Sequence, residues 1–334
     1  MDYYPISFNG NLTSYQFYTS ILKQLREYYR RDGETQLLFD FTRVKSIDTL
    51  VIPNLLCVGI TIRDNSGFIP YFRVSDNVDA RSLRRYLNDV NFINLAEKYD
   101  IFQFDSSIKG GWSKYGIQKF STTIFFDEEE DEETTWRKLF FNVNKFADSY
   151  LKEFNYVERD FSLTNLIVEN CKEILENSKE HGKCFAFMSI QYNSTFKKAY
   201  ISISDCGIGM ADSHNKQVSN NSINDLFVNN IVENELDGIV HCMFRRFNKP
   251  YGLYSVIKKI LKNNGTVRIH SMNTQLILTD NLLMPIEIGN NINSFKEIIQ
   301  LDNFKANVRR NIKFGGVHIE FELPVEHNMK GSGI

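Results

Sequence analysis

Hydrophobic and polar residues alternate along the first third of the chain in the pattern of an α/β fold. Residues 37–41 and 68–74 form short apolar runs typical of buried strands, and apolar residues at helical spacing predict helices over 13–31, 48–62 and 80–90. The strand–helix–strand order at this spacing predicts a parallel or mixed sheet with helices packed against it.

The rest of the chain has a different order of elements, with helices placed before strands. The pattern predicts helices over residues 136–154, 162–181 and 252–264, and strands over residues 184–191, 199–204, 266–271 and 317–323. This order favours a two-layer α/β sandwich, with the helices on one side and the sheet on the other.

A break between these two regions sets the expected domain boundary. Residues 109–111 (Lys-Gly-Gly) are a turn signal, and residues 127–133 form an uninterrupted acidic run whose simplest interpretation is a solvated helix start or a linker. We therefore expect an interaction domain over residues 1–110, a linker over 111–134 and a second domain over 135–326.

Composition narrows the class of protein. The 334 residues are 42% hydrophobic and 13% aromatic, which is typical of a globular chain. The net charge of −2 argues against a general binder of nucleic acid or anionic membranes. No apolar run reaches the roughly 18 residues that span a bilayer, and the start, MDYYPISFNG, has no signal-peptide pattern. Five cysteines without C-x-x-C spacing argue against a disulfide framework or zinc ribbon and favour a cytoplasmic protein.

Three short segments of the second domain carry candidate chemistry. On a helix, the segment KEILENSKEHG (residues 172–182) places Glu173, Asn177 and His181 on one face, because they recur every four residues. Taken alone, a Glu and an Asn four residues apart are most often ordinary surface residues.

The second segment, SDCGIGM (residues 204–210), follows a β-branched strand. Asp205 at the strand end can accept a hydrogen bond from an exocyclic amine such as that of adenine, and Gly207 and Gly209 let the backbone approach a ligand closely. The alternative is an Asx-type turn that closes the strand.

The third segment is Tyr-Gly-Leu, in which Gly252 and Leu253 open a helix. Free N–H groups at a helix start suit phosphate, and a plain helix start is the alternative. The polar, Asn-rich stretch before it, about residues 210–250, fits a mobile lid over a nucleotide. Arg245 and Arg246 in this stretch are candidate phosphate contacts, with two solvated arginines as an equally good interpretation.

Together and in this order, the three segments resemble the Bergerat-fold ATP-binding domain of the GHKL superfamily, which includes gyrase, heat-shock chaperone ATPases, histidine kinases and mismatch-repair ATPases. The resemblance extends over about residues 140–325. It implies ATP and Mg²⁺ as ligands, with Glu173 polarising the attacking water or substrate hydroxyl and Asn177 binding Mg²⁺. The implied adenine-reading and glycine-box residues are Asp205, Gly207, Gly209, Gly252 and Leu253.

One local pattern is similar to a particular branch of this superfamily, and two departures from the superfamily's pattern bear on activity. The ending Asn-x-x-x-His-Gly, with His181 and Gly182, is similar to the anti-sigma-factor serine kinases. The second glycine box usually reads G-x-G-x-G-L, whereas residues 248–253 read Asn-Lys-Pro-Tyr-Gly-Leu. The last strand usually begins Gly-Thr, whereas here Gly316 precedes Val317, which removes a hydroxyl that supports the adenine-reading Asp. Nucleotide binding is therefore a firmer expectation than hydrolysis.

The first domain resembles the STAS fold of anti-sigma-factor antagonists over residues 37–59. Asp40 stands where the family has an Asp at the end of a strand. Asp48 stands where the family has the Asp that precedes its phosphorylated hydroxyl, and Thr49 supplies the hydroxyl at that place. Leu50 and Val51 replace the usual Ser and Gly, so the resemblance implies an interaction module that is not phosphorylated.

Three functions are compatible with these patterns. The first is an ATP–Mg²⁺-binding regulatory ATPase or Ser/Thr protein kinase that controls a partner through lid closure. The second is a non-catalytic nucleotide-dependent switch, and the third is a scaffold with a vestigial site. The predicted helix 136–154 has no histidine, so a phosphoacceptor would be Ser or Thr on a partner.

The sequence leaves the partner and the source open. The partner would be a regulatory protein, with a STAS-domain protein or a phosphoacceptor as the options, and a homodimer is also compatible with the pattern. Richness in Asn, Lys, Ile and Phe is typical of an AT-rich bacterial or phage genome.

Overall fold

Two sheets and their helices make up the computed structural model of this chain. The structure describes residues 3–31, 33–75, 81–105, 123–154, 161–182, 184–193, 196–220, 230–245, 252–282, 295–298, 307–310 and 314–324, and for 81–82, 148–154, 161–163 and 181 it describes the backbone alone. In this described part of the chain, no helix combines the length and the apolar character needed to cross a bilayer.

The first half of the chain is built on a parallel sheet. Its strands are β1 (Tyr4–Leu12), β2 (Leu37–Ile47), β3 (Tyr71–Val74) and β4 (Gln103–Phe104), paired in that order. The helices are α1 (Ser14–Gln16), which continues through a π-helical segment (Phe17–Ile21) into α2 (Leu22–Arg31), then α3 (Val51–Ser66), α4 (Arg81–Asp89) and α5 (Phe92–Lys98). The prediction of an α/β region with a parallel or mixed sheet is confirmed.

The second half is built on an antiparallel sheet. Its strands are β5 (Ile124–Phe126), β6 (Ala186–Asn193), β7 (Lys198–Asp205), β8 (Thr266–Ser271), β9 (Thr274–Leu278), β10 (Val308–Arg310) and β11 (Val317–Pro324), in the spatial order β10-β9-β8-β11-β7-β6-β5. The helices are α6 (Glu132–Phe154), α7 (Phe161–Asn177), α8 (Met210–Ser219), α9 (Glu235–Phe244) and α10 (Leu253–Lys262). Helices α6, α7, α9 and α10 share one apolar core with the sheet.

Helix α3 joins the two halves. It is apolar around most of its circumference, as expected of a helix covered on more than one side. Its apolar side chains pack in one core with Phe39 and Phe72 of the parallel sheet and with Phe187 of the antiparallel sheet. At Gly59 an added Cβ would lie 2.5 Å from Cγ2 of Ile101, so a glycine is needed for this close approach. The antiparallel sheet is therefore covered on both faces. The second half was predicted to have two layers, helices and sheet, and helix α3 of the first half adds a third layer on the other face of the sheet.

Buried polar side chains line the boundary between the halves. Thr49, only 1% exposed, lies 2.9 Å through Oγ1 from the Tyr86 hydroxyl, and the same oxygen contacts Gln191 of β6. The Thr49 hydroxyl, which stands at the phosphorylated position of the STAS sequence pattern, is thus enclosed between the two halves.

Candidate functional site

Helix α7 presents the first pair of predicted site residues. Glu173 and Asn177 lie one turn apart, and Nδ2 of Asn177 donates to Oε1 of Glu173 at 3.4 Å. The helix then continues as a π-helical turn, Ser178–Gly182. His181 lies in this turn, and its side chain is outside the described residues.

Asp205 ends β7 and is held by main-chain amides. Its Oδ1 accepts hydrogen bonds from the amide of Gly207 at 3.0 Å and from the amide of Val317 at 2.9 Å. Burial raises the pKa of this carboxyl, and these two bonds, together with the side chains of Ser178 and Cys184, oppose the rise. The Val317 amide thus supports the carboxylate at the place where the sequence pattern lacks a threonine hydroxyl.

Two glycines begin helices beside this carboxylate. Gly209 is the N-cap of α8 with φ of 82°, and Gly252 is the N-cap of α10 with φ of 94°, so both adopt a backbone conformation that favours glycine. Amides at the start of α8 are already bonded, because Met210 donates to Oγ of Ser271 at 2.8 Å. Among the described residues, no side chain caps the start of α10.

These groups line one cleft. The structure brings together seven of the residues predicted from the sequence: Glu173, Asn177, Asp205, Gly209, Arg245, Gly252 and Leu253. Gly182 and Val317, which the sequence patterns include, also line the cleft, and the lining residues that the sequence reasoning did not assign to the site are Ile174, Ser178, Met210, Ser213, Cys242 and Ile319.

The remaining predicted residues have different places. Gly207 does not line the cleft, but it donates to Asp205 and packs against the π-helical turn, since an added Cβ would lie 2.8 Å from Cα of Gly182. Arg246 lies outside the described residues. Arg245 is at the end of α9 and lines the cleft.

The stretch expected to form a lid contains regular structure. It includes α8 and α9, and Ile239, Val240 and Met243 of α9 are buried in the core of the second half. Helix α9 is thus part of the packed domain. Residues 221–229 and 246–250 of the expected lid lie outside the described residues, and lid closure stays a prediction.

Chemically, the cleft combines a buried carboxylate, apolar walls and polar groups on α7. Ile174, Met210 and Leu253 give it apolar surface, and Cys242 lines it with a thiol whose pKa burial raises to about 12, so the thiol is protonated at neutral pH. Within the described part of the chain, no group of three His, Cys, Asp or Glu side chains is arranged to hold a metal ion.

Comparison of the chain with models of known protein families finds no match, and comparison with curated proteins finds none either. The geometry and chemistry of the cleft are therefore the basis for assigning a function.

Proposed function

We propose that this chain binds ATP with Mg²⁺ in the cleft between α7, β7 and α10, as a regulatory ATPase or Ser/Thr protein kinase of the GHKL type with a Bergerat fold. One observation carries the proposal: the carboxylate of Asp205 lines the same cleft as Glu173 and Asn177, which share one face of α7. In this proposal, Asp205 reads the purine and the α7 pair lies near the phosphates, and the shared cleft supports placing both in one binding site.

Asp205 is suited to read the amino group of adenine. Two main-chain amides fix Oδ1 and so set the direction of Oδ2. Two side chains also lie near the carboxylate: Cys184, whose thiol is a weak donor, and Ser178, whose single hydroxyl proton is shared with the Ile174 carbonyl at 3.2 Å. A ligand amine can therefore donate to this carboxylate.

The phosphate end of the ligand has two candidate contacts. The start of α10 at Gly252 offers amide donors with a favourable helix dipole. Arg245 supplies a guanidinium, which binds phosphate oxygens in a fork.

On α7, the two polar residues fit a divalent cation and a nucleophile. Because Nδ2 of Asn177 donates to Glu173, the carbonyl oxygen of Asn177 is the group that can ligate a hard cation such as Mg²⁺, with phosphate oxygens and water as the other ligands. The cation would neutralise charge on the transferred phosphoryl group. Glu173 would orient a water or a partner's hydroxyl for attack.

The first half is proposed to be a STAS-like interaction module that acts on an unidentified regulatory partner. Its parallel sheet, with Asp48 and Thr49 directly before α3, supports the likeness. Because Thr49 is enclosed against Gln191, we assign it a contact between the two halves and not a phosphorylation site.

The test is calorimetric titration of the folded protein with ATP–Mg²⁺. Asp205→Asn keeps the size and one acceptor but places an amide N–H₂ toward the cleft, so we expect ATP affinity to fall about 10- to 100-fold. The same variant should gain affinity for inosine triphosphate, whose ring carries a carbonyl in place of the amine. Asp212→Asn, an exposed carboxylate on α8, is the matched control. Equal ATP binding by wild type and Asp205→Asn would refute the proposal.

A non-catalytic nucleotide switch is the second candidate. It is favoured by the replacement of two glycines in residues 248–253, where the superfamily's second glycine box stands. A single-turnover assay distinguishes the two: ATP bound for hours without ADP or phosphoprotein would establish the switch, and turnover would exclude it.

A further inference from the structure

Asn54 is a polar residue in the middle of the apolar helix α3, and it is fully buried. Its Oδ1 accepts a hydrogen bond of 2.7 Å from the Ser204 hydroxyl, and its Nδ2 donates to Oε1 of Glu320 at 2.8 Å and to the Tyr18 hydroxyl at 3.2 Å. A buried amide is tolerated only when it is bonded in this way, so its contacts define its position.

Two of the three partners of Asn54 lie on neighbouring strands of the second half. Ser204 is on β7 and Glu320 is on β11, and the two strands pair antiparallel with His318 opposite Ser204. One side chain of the first half thus bridges two adjacent strands of the second.

The same two strands hold the proposed adenine reader on the other face of the sheet. Asp205 follows Ser204 directly, and side chains of successive strand residues point to opposite faces. On β11, the amide of Val317 donates to Oδ1 of Asp205. The bridge by Asn54 therefore fixes from behind the strand pair that orients the carboxylate in front.

We propose that Asn54 is a positioning residue for nucleotide recognition, and that the first half is by this contact a structural part of the nucleotide site. The inference rests on the proposed function of Asp205. Thermodynamic linkage makes this coupling reciprocal. If the Asn54 contact increases the affinity for the nucleotide, the bound nucleotide stabilises the Asn54 contact by the same free energy.

The test compares ATP with inosine triphosphate, because the orientation of Asp205 affects the amine or carbonyl of the base and leaves the triphosphate contacts unchanged. In Asn54→Leu and in Ser204→Ala, the loss of the bridge should weaken ATP binding about tenfold and inosine triphosphate binding much less, so base selectivity falls. A residue with only a structural role would lower thermal stability and leave this selectivity unchanged.

Thr49→Val is the matched control. It removes a buried hydroxyl from the same boundary, but its partner Gln191 lies on β6, opposite Tyr200 and far along the strand from Asp205. We expect it to lower the melting temperature and to keep the ATP-to-inosine-triphosphate affinity ratio of wild type.

The outcomes separate this inference from the function beneath it. If wild type binds ATP, Asp205→Asn loses it, and both bridge variants keep wild-type selectivity, Asn54 has no positioning role. If folded wild type binds no ATP, the proposed function is wrong and the inference fails with it. Should Asn54→Leu fail to fold, the milder Ser204→Ala decides alone.

Discussion

Gly316 lies directly against the main chain of Asp205. An added Cβ on Gly316 would fall 1.8 Å from the carbonyl oxygen of Asp205 and 2.7 Å from its Oδ1, and the φ angle of Gly316 is +91°. Both facts require glycine at this position. The turn before β11 and the end of β7 therefore form one close-packed unit that presents the carboxylate.

The first prediction concerns this contact. Gly316→Ala should lower the free energy of unfolding by about 2–4 kcal/mol, because it adds steric overlap to a left-handed backbone strain. Its neighbour offers a control, since a Cβ on Gly315 would meet Oγ1 of Thr61 at an acceptable 3.4 Å. Urea denaturation measures both variants, and equal stability of Gly316→Ala and Gly315→Ala would contradict the packing described.

The second prediction assigns catalysis. If the protein turns over ATP, Glu173→Gln should reduce the turnover rate by about 10²- to 10⁴-fold, the usual effect of losing a general base. ATP affinity should change little, because the amide preserves the size of the side chain. Release of ADP in a coupled assay measures the rate, and calorimetry measures the affinity.

Helix α7 also offers a control for this substitution. Glu176 pairs with Lys172 at 3.3 Å and does not line the cleft. Glu176→Gln should therefore keep the wild-type rate. A Glu173→Gln variant with undiminished turnover would remove Glu173 from the reaction and leave only a binding role for this part of α7.

The sequence predicted elements well where one face of a helix or strand is apolar. Helix α10 and strands β7 and β11 were expected within a few residues, because their patterns are local. Strand β1, with many exposed positions, and α9, placed in a polar region, were missed. The close packing of α9 on α8 depends on Gly238, whose added Cβ would lie 2.5 Å from the Ala211 amide, and such a contact has no local signature.

The candidate site divides in the same way. Glu173, Asn177 and Asp205 were singled out through the resemblance of three segments, taken in order, to the GHKL superfamily, and the structure places all three along one cleft. The support of Asp205 by the Val317 amide could not be predicted, because a main-chain donor is not encoded by residue type. Asn54 was also missed: its partners in the second half are 150 and 266 residues away, and nothing near it in the sequence indicates two sheets meeting on one helix.

The third prediction is a pH dependence from Glu320. Burial raises the pKa of this carboxyl to about 7, and nearby Arg268 and the hydrogen bonds from Ser14 and Asn54 oppose the rise. Because the folded pKa lies above the unfolded value, the folded state binds more protons, so its stability falls as pH rises from about 4.5 through 7. Burial raises the pKa of Asp48 to about 6, which acts in the same direction.

Glu320→Gln isolates this contribution. The variant should be more stable than wild type at pH 8, by up to about 3 kcal/mol, and the advantage should shrink as pH falls and vanish below 4.5. Thermal unfolding of both proteins across this pH range measures the difference. A difference that does not change with pH would show that Glu320 titrates normally.

The last prediction concerns the buried imidazole of His270. The ring stacks on Phe314 with centroids 4.6 Å apart and packs against Tyr18, and neither of its nitrogens has a hydrogen-bond partner in the described part of the chain. Burial lowers its pKa well below the ordinary value, and nearby His318 adds to this effect. Because the folded pKa is depressed, stability is full above about 6.5 and is lost as pH falls.

His270→Phe should therefore raise the free energy of unfolding by about 1 kcal/mol at pH 7, since it keeps the ring stack and removes unpaired polar atoms. The advantage should grow as pH falls from 6.5 to 4, because phenylalanine does not bind a proton. His318→Phe is the control: Nε2 of His318 lies 3.1 Å from the Gly315 carbonyl, so its loss leaves that carbonyl unpaired and gives no gain at pH 7. Chemical denaturation at pH 7 and at pH 4 measures the free energy of unfolding of each variant. A His270→Phe variant less stable than wild type at pH 7 would mean that the imidazole makes a necessary polar contact.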